Sequence, residues 1–157
     1  MERFTGTCER LEAVDCATLA KWISEIPFED WPQQARLNGE LRPAMVTDLG
    51  WHGFGAWARP IVDQIMQGFP GCRSHQWMLS VVMSGHDIQE HADDQAPKWL
   101  TRIHVPLLSN EQSEFRVGGV SHVLEVGQAY RVNTLARHSV NNAGSTPRVH
   151  FMFDVDQ

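Results

Sequence analysis

At 157 residues and 17.8 kDa the chain has the size of one domain with a buried core. Hydrophobic residues at 42% and charged residues at 20% exclude a disordered or fibrous chain, and a net charge of -6 argues against a general nucleic-acid binder, which carries a basic excess. The opening Met1-Glu2-Arg3-Phe4-Thr5 holds no apolar signal core, and no run approaches the ~20 apolar residues of a membrane span. Cys8, Cys16 and Cys72 form no CxxC pair and read as reduced thiols, so a cytoplasmic protein is expected.

No internal repeat, low-complexity tract or linker divides the chain, so a single domain over 1–157 is expected. Its 1–73 part would be a helical and loop cover with a first strand, and 74–157 would hold the core strands that carry the site. Asp15 suits an N-cap; after it Leu19, Trp22, Ile23 and Ile26 recur at helical spacing until Pro27, which predicts an amphipathic helix over 15–26. A second helix is expected over 55–67, with Trp57, Ile61, Ile65 and Met66 on one face and Pro60 in its first turns, where a missing N–H costs little. Between them, Trp31 to Gly39 reads as loop and Met45 to Leu49 as a short strand. Trp22, Trp31, Trp51 and Trp57 read as buried aromatic anchors between helix and sheet, while Arg36, Arg42 and Trp51 are candidates for a substrate mouth.

From about residue 74 the period becomes two. Trp77, Leu79, Val81 and Met83 alternate with Gln76, Met78, Ser80, Val82 and Ser84; Ile103, Val105 and Leu107 alternate with Arg102, His104 and Pro106. Val149, Phe151 and Phe153 alternate with Arg148, His150 and Met152. Turn signals at Gly118-Gly119, Val126-Gly127 and Asn142 to Ser145 cut the remainder into short strands near 114–117, 121–125, 129–134 and 136–141. Seven or so short antiparallel strands make a sandwich or a jelly roll. The polar parity carries Ser80, Arg102, His104, Arg148 and His150 with hardly a Lys, Glu or Asp, and a solvated face would show those ordinary charges. This parity is therefore expected to converge on an interior pocket, while the apolar parity packs under the N-terminal helices.

In extended backbone His91 and Asp93 point to the same side and can chelate one ion, which a distant histidine completes. Two imidazoles and one carboxylate suit ferrous iron and leave three coordination positions open. Asp94 and His86-Asp87 compete locally, and His122 and His150 compete with His138 for the distant place. A zinc site would call for three histidines or a His-x3-His helix, and neither pattern is present. Arg148 follows His138 by ten residues, with the Asn142–Ser145 turn between them. A simple hairpin would place the two opposite each other, and a corner between two sheets would turn both inward. Either way a planar guanidinium that grips carboxylates stands near the metal ligand.

Ser80-x10-His91-x-Asp93, Arg102-Ile-His104-Val-Pro-Leu107, Asn133-Thr134, His138-x-Val140-x-Asn142 and Arg148-Val-His150-Phe together resemble the aspartyl/asparaginyl β-hydroxylase family of iron- and 2-oxoglutarate-dependent dioxygenases. The resemblance covers roughly residues 75–155. It implies a mainly β fold, a double-stranded β-helix (cupin-like jelly roll) with the N-terminal helices on the outside of one sheet. It implies Fe(II) on His91, Asp93 and His138, the distal carboxylate of 2-oxoglutarate on Arg148, and Ser80, Arg102 and His104 at positions that contact or orient that co-substrate. O2 is the second co-substrate, with succinate and CO2 formed as a C–H of an amino-acid-like, peptide or small-molecule substrate is hydroxylated. No nucleic-acid or membrane partner is expected, and the sequence assigns neither a substrate residue nor an oligomeric state. Two rival readings are a cupin-type metalloenzyme that does not use 2-oxoglutarate and a non-enzymatic jelly-roll binding module.

Overall fold

The alternating stretches of the second half become two antiparallel sheets in the computed structural model, which describes residues 1–94 and 98–157. The N-terminal part holds β1 (Cys8–Ala13), α1 (Ala17–Ser24), β2 (Gln33–Ala35), β3 (Leu41–Pro43), β4 (Met45–Val46) and α2 (Phe54–Met66). After them come β5 (Arg73–Val82), β6 (Asp87–His91), β7 (Trp99–Leu108) and β8 (Ser113–Val117). The chain ends with β9 (Val120–His122), β10 (Gln128–Val132), β11 (His138–Asn142) and β12 (Arg148–Asp156). The larger sheet runs β1-β10-β7-β12-β5-β4, the smaller β6-β11-β8-β9, and β2 pairs with β3 as a separate hairpin. This is the mainly β jelly roll, with helices on the outside of one sheet, that the family resemblance implied.

The apolar parity does what its chemistry demands. Leu79, Val81, Ile103, Val105, Phe151 and Phe153 share one buried cluster with Leu19, Trp22 and Ile23 of α1 and with Phe54, Ile61 and Ile65 of α2. Both helices thus lie on the outer face of the larger sheet. Phe151 meets Phe54 and Trp77 edge-on, with ring centroids 5.7 and 6.3 Å away. The space between the sheets holds a smaller apolar cluster of Val82, Phe115, Val117, Leu124, Tyr130, Val132 and Val140. Beside it, through Phe115 and Val140, lies a polar cavity.

Several expectations shift. Asp15 stands one residue before the N-cap Cys16, and its Oδ1 accepts the Ala17 N–H at 3.3 Å. Pro60 is the seventh residue of α2, so it removes the N–H that the Ala56 carbonyl would accept; both residues are exposed, where the loss costs less than in a core. The buried face of α2 is Phe54, Ala58, Ile61, Val62 and Ile65. Trp57 stays 41% exposed and stacks on Trp22 at 6.0 Å instead of entering the core, whereas Trp22 and Trp31 are buried. The stretch from Trp31 to Gly39 contains β2, half of a hairpin exposed along most of its length. The strand read over Met45–Leu49 is only Met45–Val46, paired with Ser80 and Leu79. Gln76 adopts φ +49 where β5 bulges against β12, which breaks the even alternation read there.

The passage from β11 to β12 is a corner between the sheets, not a hairpin within one. Asn142 builds it. Fully buried, it donates both amide hydrogens, to Val82 O at 3.0 Å and Thr146 O at 2.8 Å. Its Oδ1 accepts from Asn110 Nδ2 at 3.1 Å and from the Gly144 N–H at 3.2 Å. All four hydrogen-bonding positions of the amide are used. Gly144 is required by close approach, since a Cβ there would stand 2.1 Å from Asn110 Oδ1. Asn142→Asp turns the two donors into acceptors facing two carbonyls, and should lower unfolding stability by ~3 kcal/mol or more in urea titration. Val123→Ala, at a half-exposed position, should stay within ~0.5 kcal/mol of the wild type.

Candidate metal centre

The polar parities of β5, β7 and β12 face the smaller sheet across a cavity of about 150 Å³. Every site residue predicted from the sequence lines it: Ser80, His91, Asp93, Arg102, His104, His138 and Arg148. His91 ends β6 and His138 begins β11, and the two are paired across the sheet, with ring centroids 4.3 Å apart. Asp93 follows two residues after His91, and its backbone N–H donates to Thr134 O at 2.9 Å. The carboxylate Oδ1 lies 3.4 Å from His91 Nε2 and 3.8 Å from His138 Nε2. One ligand atom from each of the three residues falls within 4.8 Å of the others.

The hydrogen bonds behind the imidazoles set their tautomers. His91 Nδ1 is 2.8 Å from Gln89 O and His138 Nδ1 is 2.9 Å from Ala136 O. A carbonyl only accepts, so each Nδ1 carries the proton and each Nε2 presents a lone pair. Burial, the largest influence on His138, holds it below its ordinary pKa and so neutral at pH 7. Two lone pairs and one carboxylate oxygen facing one another repel unless a cation stands between them. The donor set therefore fits a divalent metal that accepts nitrogen and oxygen.

The other end of the cavity is built for an anion. Arg148 is 2% exposed; its Nη2 donates to His150 Nδ1 at 2.8 Å, and among the described residues no carboxylate pairs with it. Burial pulls its pKa down to about 9, which leaves it charged at neutral pH. His104 and His150 are held well below their ordinary values, first by burial and then by the Arg148 charge, and both are neutral. His104 Nε2 and Thr134 Oγ1 are buried with no hydrogen-bond partner, and both residues line the cavity. The Thr134 hydroxyl, free to donate beside a buried cation, fits a small polar anion. Arg102 differs: all three of its nitrogens are engaged, two by Asp154 and one by Asp93.

Residues to which the sequence assigns no place in the site include Thr134, Asp154 and the wall residues Phe115 and Met152. Asp154 had a readable signal, since it continues the parity of Arg148, His150 and Met152 on β12. Asp94 is exposed and outside the three-residue cluster. His150 belongs to the Arg148 network, and His122 sits on β9 at the edge of the smaller sheet. Of the candidates for the mouth, Arg36 and Arg42 line a groove of about 450 Å³ that adjoins the cavity through Ile88. Trp51 instead packs with Trp22 and Trp31.

A family model described as aspartyl/asparaginyl beta-hydroxylase matches residues 58–157, well over half of the chain. No curated protein matches. Among solved structures, AviO1 from Streptomyces viridochromogenes Tue57 is similar with a TM-score of 0.70 at 12% identity, over 96% of this chain and 90% of that one. An oxidoreductase of the 2OG-Fe(II) oxygenase family from Burkholderia pseudomallei gives 0.66 at 13% identity, over 95% and 85%. The viral collagen prolyl hydroxylase vCPH of Paramecium bursaria Chlorella virus-1, in its 2OG complex, gives 0.63 at 9% identity, over 96% of both chains. At such identities the likeness is one of fold. No helix among the described residues is long and apolar enough to cross a membrane.

Replacing Arg148 by Met keeps most of the volume and removes the buried unpaired charge. The ligand-free variant should be more stable than the wild type by about 1–4 kcal/mol in urea titration, and a clear loss of stability would show that the guanidinium is already compensated.

Proposed function

The chain belongs to the aspartyl/asparaginyl β-hydroxylase family and is an oxygenase of the 2-oxoglutarate-dependent kind, and on that premise we propose that His91, Asp93 and His138 hold one ferrous ion while Arg148 grips the distal carboxylate of 2-oxoglutarate. The observation that carries this reading is the pair of imidazoles whose Nδ1–H groups are tied to backbone carbonyls, so that both Nε2 lone pairs and the Asp93 carboxylate face one point. The bound iron supplies O2 activation, which couples decarboxylation of 2-oxoglutarate to succinate and CO2 with hydroxylation of a substrate C–H.

The side chains do the remaining work. Two neutral imidazoles and one carboxylate cancel only one of the two positive charges of a divalent ion, which favours a further anionic ligand at the open positions. Arg148 then fixes the far end of a dicarboxylate by a charge-assisted fork. Ser80, His104 and Thr134 offer the polar atoms between these two ends. Phe115, Met152 and Val140 give the cavity apolar walls. At about 150 Å³ the cavity is of the order that encloses one small molecule and falls short of a drug-sized site. The substrate, a small molecule or an amino-acid-like or peptide chain, therefore approaches from the grooves outside.

Protein purified without oxygen should take up one equivalent of Fe(II) and form succinate from 2-oxoglutarate, uncoupled at first and faster when the right amino acid or peptide is supplied. His91→Ala and His138→Ala should abolish turnover, and undiminished activity in either would sink the assignment. Arg148→Ala should raise the 2-oxoglutarate requirement about 100-fold or more, since an unpaired buried carboxylate costs roughly 3 kcal/mol and each 1.4 kcal/mol is tenfold.

A further inference from the structure

The resemblance implies that Arg102 contacts or orients the co-substrate, and its surroundings point to a different task. Arg102 on β7 lies directly across from Asp154 on β12. Its Nε donates to Asp154 Oδ1 at 2.7 Å and its Nη2 to Asp154 Oδ2 at 2.8 Å, a two-point fork. Asp154 is itself 3% exposed, and Trp99 Nε1 donates to its Oδ1 at 3.4 Å. With that edge fixed, the remaining nitrogen Nη1 donates to Asp93 Oδ2 at 2.6 Å. Three of its five N–H groups are thereby given to carboxylates, whereas Arg148 gives one to a histidine nitrogen and, among the described residues, none to a carboxylate.

We propose that Arg102, held by Asp154, is a positioning residue for the Asp93 carboxylate, a proposal that rests on reading His91, Asp93 and His138 as a metal triad. Asp93 is fixed at two points. Thr134 O takes its backbone N–H, and Arg102 takes Oδ2, which turns Oδ1 toward both histidine Nε2 atoms. Oδ1 is thus the carboxylate oxygen that would be left for a metal. Asp154 balances the guanidinium charge, so the clamp orients Asp93 without neutralising it. Lysine cannot replace Arg102 here, because one ammonium nitrogen cannot span both carboxylates in this geometry. The neighbouring Asp94 has no part in this clamp, which is what selects Asp93 over it.

The test is the affinity of the metal-stripped full chain for Mn(II) alone, followed by electron paramagnetic resonance of the free ion, without 2-oxoglutarate or turnover. Arg102→Lys and Asp154→Asn should each weaken Mn(II) binding by roughly 10–100-fold. In an Asp93→Ala background, Arg102→Lys should change the affinity by less than about twofold, because the residue it acts through is gone. Thermal melting identifies a variant that does not fold, and Asp154→Asn then carries the comparison. If Arg102→Lys spares Mn(II) affinity but weakens 2-oxoglutarate binding to the Mn(II)-loaded protein, Arg102 is a co-substrate ligand and the proposal is overturned. Equal losses with and without Asp93 would overturn it as well, by showing a general structural role. Unchanged Mn(II) binding in His138→Ala would remove the triad itself, and the proposal with it; that failure is told apart by the histidine variant.

Discussion

A guanidinium with 2% exposure and, among the described residues, no carboxylate beside it is the feature around which the interior is arranged. Taking such a charge out of water costs several kcal/mol, so the apolar packing of the larger sheet against α1 and α2 has to outweigh it. The fold accepts this burden at one point and prepares the opposite need a short distance away. His91, Asp93 and His138 aim lone pairs and negative charge at one spot, while Arg148 offers positive charge to another. Under the proposed function a metal ion and a dicarboxylate would relieve both at once. That complementarity, more than any single residue, separates this cavity from a pocket of satisfied core histidines.

The two arginines of the cavity show how context divides one chemistry into two tasks. Arg102 meets two carboxylates, has its charge balanced and stays in place. Arg148 meets a neutral histidine and keeps its charge for a ligand. The corner at Asn142 keeps these tasks in register. It joins β11, which carries His138, to β12, which carries both Arg148 and Asp154, and its four hydrogen bonds leave little freedom between them.

Legibility followed burial. β5, β7 and β12 were readable because one face of each meets a core, so hydrophobic alternation marked their course. β2, β3 and β6 were not, because they are largely exposed on both faces and no alternation is enforced. The same reason hid Trp57, whose helical spacing suits a core that its side chain does not enter. The sequence assigns no role to Asp154 or Thr134, because their roles depend on partners across a strand or a loop, Arg102 for one and Asp93 for the other. Family membership removes the reading as a non-enzymatic binding module.

His91 and Asp93 share one side of an extended segment by the period of the backbone, and the Arg and His bias of the polar parity follows from composition alone. Those facts, with the strand pattern and the order of the motifs, were determined by the sequence. Tertiary structure decided that the chain turns a corner after β11, that His138 and not His122 or His150 faces His91, and that Asp93 and not Asp94 joins them. It also decided that Arg102 faces carboxylates while Arg148 faces none. The reason is physical: ligand geometry is set by how two sheets stack and by which buried charges meet across them, and those distances join residues far apart in the chain.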